Sequence, residues 1–300
     1  MRNQNLNSIC PACRSQHMTP WFVKNTKQKK YQICRCADCR SAFVLPRPTA
    51  SEIDAFYKSE YYRKANTSNA SERLESLLEA EVQYPNSTLD ADRIISNVNV
   101  FAEGKQFLDV GGGYGFFSKA ALSNRFDVTA IEPSPACREI FALLNGFMPE
   151  DSMLDKPFAN KYKGKFNVIL MSQVLEHIAD LDETIHLISQ LLTRNGIVVI
   201  AVPHFKSVVS MLQGENDMFI IPPEHLNFFT MVGLTSLFSQ YGFSTLKCET
   251  ISRFPRESIR KKIPISFIMP LLYFILQRVF NFTDKIGKGM YINCYFRKEE

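Results

Sequence analysis

No apolar run in this 300-residue chain reaches the roughly twenty residues needed to cross a bilayer. Ile263 to Gln277 holds fifteen residues without a charge, and Pro264 and Pro270 break it. Charge of one sign is not in large excess either. Thirty-five Lys and Arg against 30 Asp and Glu leave a formal net charge of +5, which favours an anionic substrate or surface without demanding nucleic acid. Met1 to Ser8 is polar and lacks the apolar core and cleavage site of a secretory signal, so a cytoplasmic setting is expected. No repeat or low-complexity segment interrupts the chain. These absences set aside membrane-spanning, secreted and repeat architectures, and the 45% hydrophobic content suffices for one large core with something small attached.

Five of the eight cysteines fall within the first 39 residues. Cys10-Pro-Ala-Cys13 and Cys36-Ala-Asp-Cys39 are two Cys-x-x-Cys knuckles flanking a Lys-, Gln- and Tyr-rich stretch that can form a hairpin. Four thiolates so spaced can close a tetrahedron around Zn²⁺ and supply folding energy to a segment too small for its own core. A zinc ribbon over 1–45 is therefore expected, with Cys34 as a rival ligand to Cys36 and metal-free thiols as the bland alternative. A redox role would need a thioredoxin-like strand and helix around one pair, and neither is present. Lys24, Lys27, Lys29 and Lys30 beside Tyr31 form a basic run, which reads as a solvated hairpin face; no nucleic acid is expected, because no second basic, aromatic-studded surface accompanies it. Cys137, Cys248 and Cys294 stand alone in helix- or strand-like segments and are expected to be inert buried thiols.

From Pro46 to about Asn99 the chain reads as a helical connector, with an aromatic cluster at Phe56, Tyr57, Tyr61 and Tyr62 and a charged helix over Glu72 to Glu81. Beyond it, over 100–300, short apolar strands alternate with amphipathic helices, the mark of a largely parallel sheet covered on both faces. Strands are predicted at Gln106 to Val110, Asp127 to Ile131, Phe166 to Ser172, Gly196 to Val202, Phe243 to Thr250 and Tyr291 to Arg297.

The first of these strands runs into Gly111, Gly113 and Gly115, where the backbone can pass against a nucleoside-like ligand that a Cβ would strike. The dinucleotide pattern fails because Phe116 stands at the third glycine, and no lysine or hydroxyl residue completes a P-loop. Pyrophosphate and triphosphate ligands are thereby disfavoured. The next strand ends at Glu132, 21 residues after Gly111, where one carboxylate can accept hydrogen bonds from both ribose hydroxyls. Asp109, just before the glycines, can face an ammonium and sulfonium group and would repel pyrophosphate.

Leu108-Asp-Val-Gly-Gly-Gly-Tyr-Gly, Ile131-Glu-Pro, Phe166-Asn-Val-Ile-Leu-Met-Ser-Gln-Val-Leu-Glu-His-Ile and Leu191-Leu-Thr-Arg-Asn-Gly-Ile-Val-Val-Ile-Ala-Val-Pro resemble the successive motifs of class I methyltransferases. The resemblance covers about Lys105 to Pro203. It implies a Rossmann-like α/β fold with a seven-stranded, mostly parallel sheet whose last strand is antiparallel, and S-adenosylmethionine held at Gly111, Gly113 and Glu132 with Ser172 and Gln173 nearby. Asn167 departs from the aspartate usual in relatives, and Asp151 and Asp155 are both candidates for the acid near the adenine. With the ribbon, Pro46-Arg-Pro48, Tyr61-Tyr62 and Glu224-His-Leu-Asn-Phe-Phe-Thr230, the whole chain is similar to zinc-ribbon methyltransferases of sugar, polysaccharide and natural-product pathways.

Methyl transfer is an in-line displacement, so alignment in a dry site contributes most. A hydroxyl acceptor would profit from a general base, and His225 and His177 are the best placed. Glu176 is read as capping or orienting that segment. The basic residues Arg256, Arg260, Lys261 and Lys262 precede an apolar helix expected at about 263–283, which could rest on an anionic membrane surface or pack on protein, including across a homodimer. A small-molecule or glycan acceptor is the expected partner. A non-catalytic cofactor-binding or scaffold protein, and a nicotinamide oxidoreductase, stay open as alternatives on sequence alone.

Overall fold

The computed structural model describes residues 9–26, 29–58, 69–83, 86–253 and 269–299. Tyr61, Tyr62, Lys27, Arg256, Arg260, Lys261, Lys262 and the proposed helical start at Ile263 lie outside them.

The chain opens with strands β1 (Met18–Asn25), β2 (Lys30–Cys36) and β3 (Ala42–Val44), then the helices Ala50–Lys58, Ala70–Gln83 and Ser87–Phe101. Strands β4 (Gln106–Val110), β5 (Asp127–Ile131), β6 (Phe166–Ser172) and β7 (Leu192–Pro203) alternate with helices, and a two-residue strand β8 (Asn227–Phe228), β9 (Phe243–Ile251) and β10 (Tyr291–Lys298) follow. The larger sheet has the order β5-β4-β6-β7-β10-β9. Its β5, β4, β6 and β7 are parallel neighbours, whereas β10 runs antiparallel to both β7 and β9.

Alternation along the central strands builds the two layers. Leu108, Val110, Ile169, Met171, Val198 and Ile200 enter one buried cluster, while Phe107, Val168, Leu170, Ile197, Val199 and Ala201 enter the other. A strand buried on both faces needs apolar residues at every position, which is what Val-Ile-Leu-Met and Ile-Val-Val-Ile provide. Helix Ser87–Phe101 joins the second layer through Ala91, Ile94, Ile95 and Val98, so the tail of the predicted connector packs on the sheet.

Two expectations change. The sheet has six regular strands among the described residues; where a seventh would lie beside β5 there is a single parallel bridge, Ile131 to Glu150. Pro149 lacks an N–H and acidic residues follow, so the segment makes one ladder step and leaves. Cys248 and Cys294 are not isolated thiols: they face each other across the β9–β10 pair and are joined by a disulfide. Register between distant strands put them together, which neither cysteine's own neighbourhood reveals.

The N-terminal ribbon is fused to the main domain. Its sheet has the order β1-β2-β3-β8, with Ala42 opposite Phe228 and Phe43 opposite Asn227, so β8 is lent by the larger domain. Thr230 caps the helix Met231–Ser239 by accepting from the Gly233 N–H at 3.0 Å, and its hydroxyl donates to the Cys39 carbonyl at 2.6 Å. Gln240 Nε2 donates to the Ala12 carbonyl at 2.7 Å, which ties the first knuckle to the same helix.

Candidate active site and cysteine centre

The glycine loop lies at the carboxyl end of β4, and each glycine answers a different demand. Gly111, Gly113 and Gly115 all have positive φ, of 68°, 53° and 89°. A Cβ on Gly111 would lie 2.7 Å from Val174 Cγ2, and one on Gly115 would lie 2.2 Å from Asn145 Nδ2. On Gly113 the nearest atom would be 4.0 Å away, the Gly111 carbonyl oxygen. Gly111 and Gly115 are thus closed in by protein, while Gly113 leaves space above its backbone.

Glu132, only 7% exposed, reaches from the end of β5 to that open glycine. Its Oε2 accepts from the Gly113 N–H at 2.9 Å and its Oε1 from the Ser134 N–H at 2.8 Å. The carboxylate therefore stands at the sheet's carboxyl rim against the loop. Asp109 is fully enclosed, and its Oδ2 accepts from Ser118 Oγ at 2.6 Å; it is engaged by the following helix rather than presented to open space. Burial pushes its carboxyl up to about 6. Ser172, half-buried, ends β6. Gln173 takes a positive φ of 58°, and its backbone N–H and side-chain amide both donate to the Ala201 carbonyl. A non-glycine residue in that region is held there by its surroundings.

Of the two acids proposed near the adenine, Asp155 caps the helix Lys156–Lys161 through Phe158 N–H at 2.9 Å, and Asp151 pairs with Arg138 at 2.7 Å. Tyr114, inside the glycine loop, accepts from Arg73 Nη2 at 3.0 Å, so the helix Ala70–Gln83 touches the loop. A tyrosine among glycines was the available signal for this contact.

The loop and β5 have the attributes an adenosyl ligand without phosphate requires: an open glycine, a buried carboxylate acceptor for ribose hydroxyls, and no basic side chain in 109–116 to neutralise pyrophosphate. A model of the family described as "Methyltransferase domain" matches residues 86–247. The chain belongs to this methyltransferase family. Ubiquinone biosynthesis O-methyltransferase from Pelagibacter ubique is 34% identical over 98 residues, 32% of this chain and 41% of that relative, so the chain matches under half the relative's length. A SAM-dependent methyltransferase structure from Archaeoglobus fulgidus superposes with TM-score 0.52 at 15% identity, covering 74% of this chain and 99% of that one. Another, from Thermotoga maritima, gives 0.51 at 14%, covering 75% and 95%. These two bear on the fold alone, and the fold is that of the S-adenosylmethionine-dependent methyltransferases.

A second group of this methyltransferase domain lies beyond β6. The 3₁₀ turn Leu175–His177 carries Glu176 and His177, and the loop before β8 carries His225. The imidazoles meet edge to face with centroids 4.8 Å apart. His177 Nδ1 lies 2.8 Å from the Glu224 carbonyl, and His225 Nδ1 lies 2.8 Å from the Phe219 carbonyl. Since a carbonyl only accepts, each Nδ1 carries a proton, and the Gln173 backbone takes a further hydrogen bond from the His177 ring. Burial depresses both rings, His225 to about 4. Arg47 clamps the two segments by donating to the carbonyls of Ile178 at 2.8 Å, Ala179 at 2.9 Å and Leu226 at 3.0 Å. Asn227 Nδ2 adds bonds of 2.8 Å to Leu175 and Ile178. Sequence reading missed these holders, although Pro46-Arg-Pro48 had marked the arginine.

The ribbon brings Cys10, Cys13, Cys36 and Cys39 together, their sulfurs all within 4.8 Å of one another. Cys10 to Cys39 is 3.7 Å and Cys13 to Cys36 is 3.5 Å. A tetrahedral ion with Zn–S bonds of about 2.3 Å sets its sulfurs about 3.8 Å apart, so the cluster has the right size. Cys34, buried nearby, is not one of the four grouped sulfurs.

No helix among the described residues is long and apolar enough to cross a membrane. The C-terminal helix runs Met269–Lys285 and exposes Phe274, Ile275, Val279 and Phe282.

Proposed function

We propose that this methyltransferase transfers a methyl group from S-adenosylmethionine to a sugar, nucleotide-sugar or glycan-pathway intermediate, at oxygen or carbon. The observation that carries the cofactor half is Glu132, which reaches the one loop glycine with open space above it. Gly111, Gly113 and Gly115 would shape the cradle, Glu132 would accept from the ribose, and Ser172 and Gln173 would border the adenine or methionine portions. Asp109 would act through Ser118, by fixing the loop to its helix. The cofactor supplies an electrophilic methyl on a sulfonium.

The acceptor would face His177 and His225. Because burial keeps His225 neutral with Nδ1–H on a carbonyl, its Nε2 is the nitrogen able to take a proton from an acceptor hydroxyl. The Pelagibacter relative's name, an O-methyltransferase, supports oxygen as the methylated atom. The four-cysteine cluster is assigned a structural Zn²⁺, with domains of 1–45 for the ribbon, 46–99 for the connector and 100–300 for the catalytic part. Surface contact with an anionic membrane through the exposed C-terminal helix fits its apolar face, and a homodimer would cover the same face.

Calorimetric titration with S-adenosylhomocysteine, alongside methyl-transfer assays on a panel of nucleotide sugars and phenols, tests this reading. Micromolar binding and labelled nucleotide sugar are expected; absence of S-adenosylhomocysteine binding sinks it, and labelling of phenols alone removes the sugar assignment.

A further inference from the structure

Behind the imidazole pair sits a carboxyl that nothing satisfies. Glu176 is 1% exposed, and both of its side-chain oxygens are buried without a hydrogen-bond partner. Leaving a buried carboxyl bare is costly, and native structures rarely do so without a purpose. One ligand atom from Glu176, one from His177 and one from His225 lie within 4.8 Å of one another. His225 offers its lone-pair nitrogen, since its Nδ1–H is spent on the Phe219 carbonyl at 2.8 Å. A carbonyl bound to the far nitrogen is the usual outer support of a metal-ligating imidazole.

We propose that Glu176, His177 and His225 form a second, mononuclear site for a divalent transition-metal ion, separate from the four cysteines. Two imidazoles and one carboxylate suit zinc or its first-row neighbours, whereas magnesium and calcium favour all-oxygen sets. Bonds of about 2.0–2.2 Å place tetrahedral ligands about 3.4 Å apart, so side-chain rotations of an ångström or so close the set. The backbone is already fixed for this. Leu226 N–H donates to the Glu176 carbonyl at 2.8 Å, and Arg47 holds the flanking segments through the carbonyls of Ile178 and Leu226. Three protein ligands leave a fourth position for water or an oxygen of the acceptor. That last consequence rests on the reading that the imidazole pair faces the acceptor; binding of the ion does not. With the ion present, His225 Nε2 serves as ligand and no longer as base.

The test is metal stoichiometry on the full chain, loaded with Zn²⁺ or Co²⁺, desalted and measured by mass spectrometry. Glu176→Gln and His225→Gln should each hold one ion fewer than wild type, with affinity at this site lowered at least about 100-fold, while Cys13→Ser keeps it. In the Co²⁺ form, a weak absorption from nitrogen and oxygen ligands should vanish in both variants and the strong thiolate band persist. Unchanged S-adenosylhomocysteine affinity certifies that the variants are folded. Equal metal content in wild type and both folded variants overturns the site, and leaves the methyltransferase reading standing if S-adenosylhomocysteine binds. If the wild type itself binds no S-adenosylhomocysteine, a wild-type-like circular dichroism spectrum and an intact thiolate band certify folding of the variants, and the lost ion then supports the site and sinks that reading instead.

Discussion

Two glutamates are buried beyond the carboxyl ends of β5 and β6, the strands on either side of β4, and their surroundings are opposite. Glu132 receives two backbone N–H groups, at 2.9 and 2.8 Å, whereas Glu176 receives none. Bonds from fixed backbone donors hold a carboxylate in one orientation. Neither Glu176 oxygen has a partner in hydrogen-bond geometry, and burial pushes the carboxyl up to about 8, opposed by its own backbone N–H and helped by Glu224. The half proposed for the cofactor is thus finished by the protein itself, while the half proposed for the acceptor stores an unmet demand. Organisation of the chain matches this difference: β4 and β5 are consecutive and local, but the acceptor half draws on 41–47, 175–179 and 225–230.

The largest effect expected concerns the ribbon, because β8 follows His225 by two residues and pairs with β3. Cys39→Ser, or chelation of the metal proposed at the four cysteines, should remove several kcal/mol of stability and abolish methyl transfer. S-adenosylhomocysteine affinity in the surviving folded fraction should stay within about threefold. Thermal unfolding with and without the ligand measures both, and a parallel collapse of cofactor affinity would erase the distinction between the halves. Next in size is Glu132→Ala. Losing the carboxylate proposed to accept from two ribose hydroxyls should weaken S-adenosylhomocysteine at least about 100-fold by calorimetry and leave metal content unchanged by mass spectrometry.

The glycines sharpen the contrast within the cofactor half. Gly115→Ala puts a methyl into Asn145 and Phe141 at positive φ and should cost about 2–4 kcal/mol in denaturant titration. Gly113→Ala meets no protein atom within 4 Å apart from the Gly111 carbonyl, so it should cost only about 1 kcal/mol, yet lower cofactor affinity tenfold or more. Similar losses of stability and unchanged affinity would mean that the space above Gly113 belongs to nothing.

What was legible in the sequence follows the same divide. The six strand positions, the glycine turn and Glu132 depend on period and neighbouring residues, and the structure has the strands within a few residues of the predicted limits. β7 begins earlier, at Leu192, because Asn195 takes a positive φ of 58° inside a strand and so disguises it as a turn. The pairing of Cys248 with Cys294, the loan of β8 to the ribbon and the reduction of an edge strand to one bridge are matters of long-range register, invisible to local pattern. His177 and His225 were singled out, but Glu176 was read as an orienting residue; its lack of donors is a property of everything packed around it.

The smallest predicted effect isolates that lack. Glu176 has a folded pKa raised to about 8 from an ordinary 4.5, so in metal-free protein the folded state holds more protons than the unfolded chain between those values. Its stability contribution is complete below pH 4.5 and fades as pH rises through 8. His225 acts in the opposite sense: with a folded pKa near 4 against 6.5, it costs stability as pH falls from 6.5 towards 4, His177 lying against it. Urea titrations of chelator-treated protein should therefore peak near pH 6 and decline on the alkaline side. Glu176→Gln keeps the shape but cannot ionise, so its alkaline decline should be shallower by a kcal/mol or more. Identical slopes for the two proteins would mean that a donor reaches Glu176 after all, and the two glutamates would no longer be opposites.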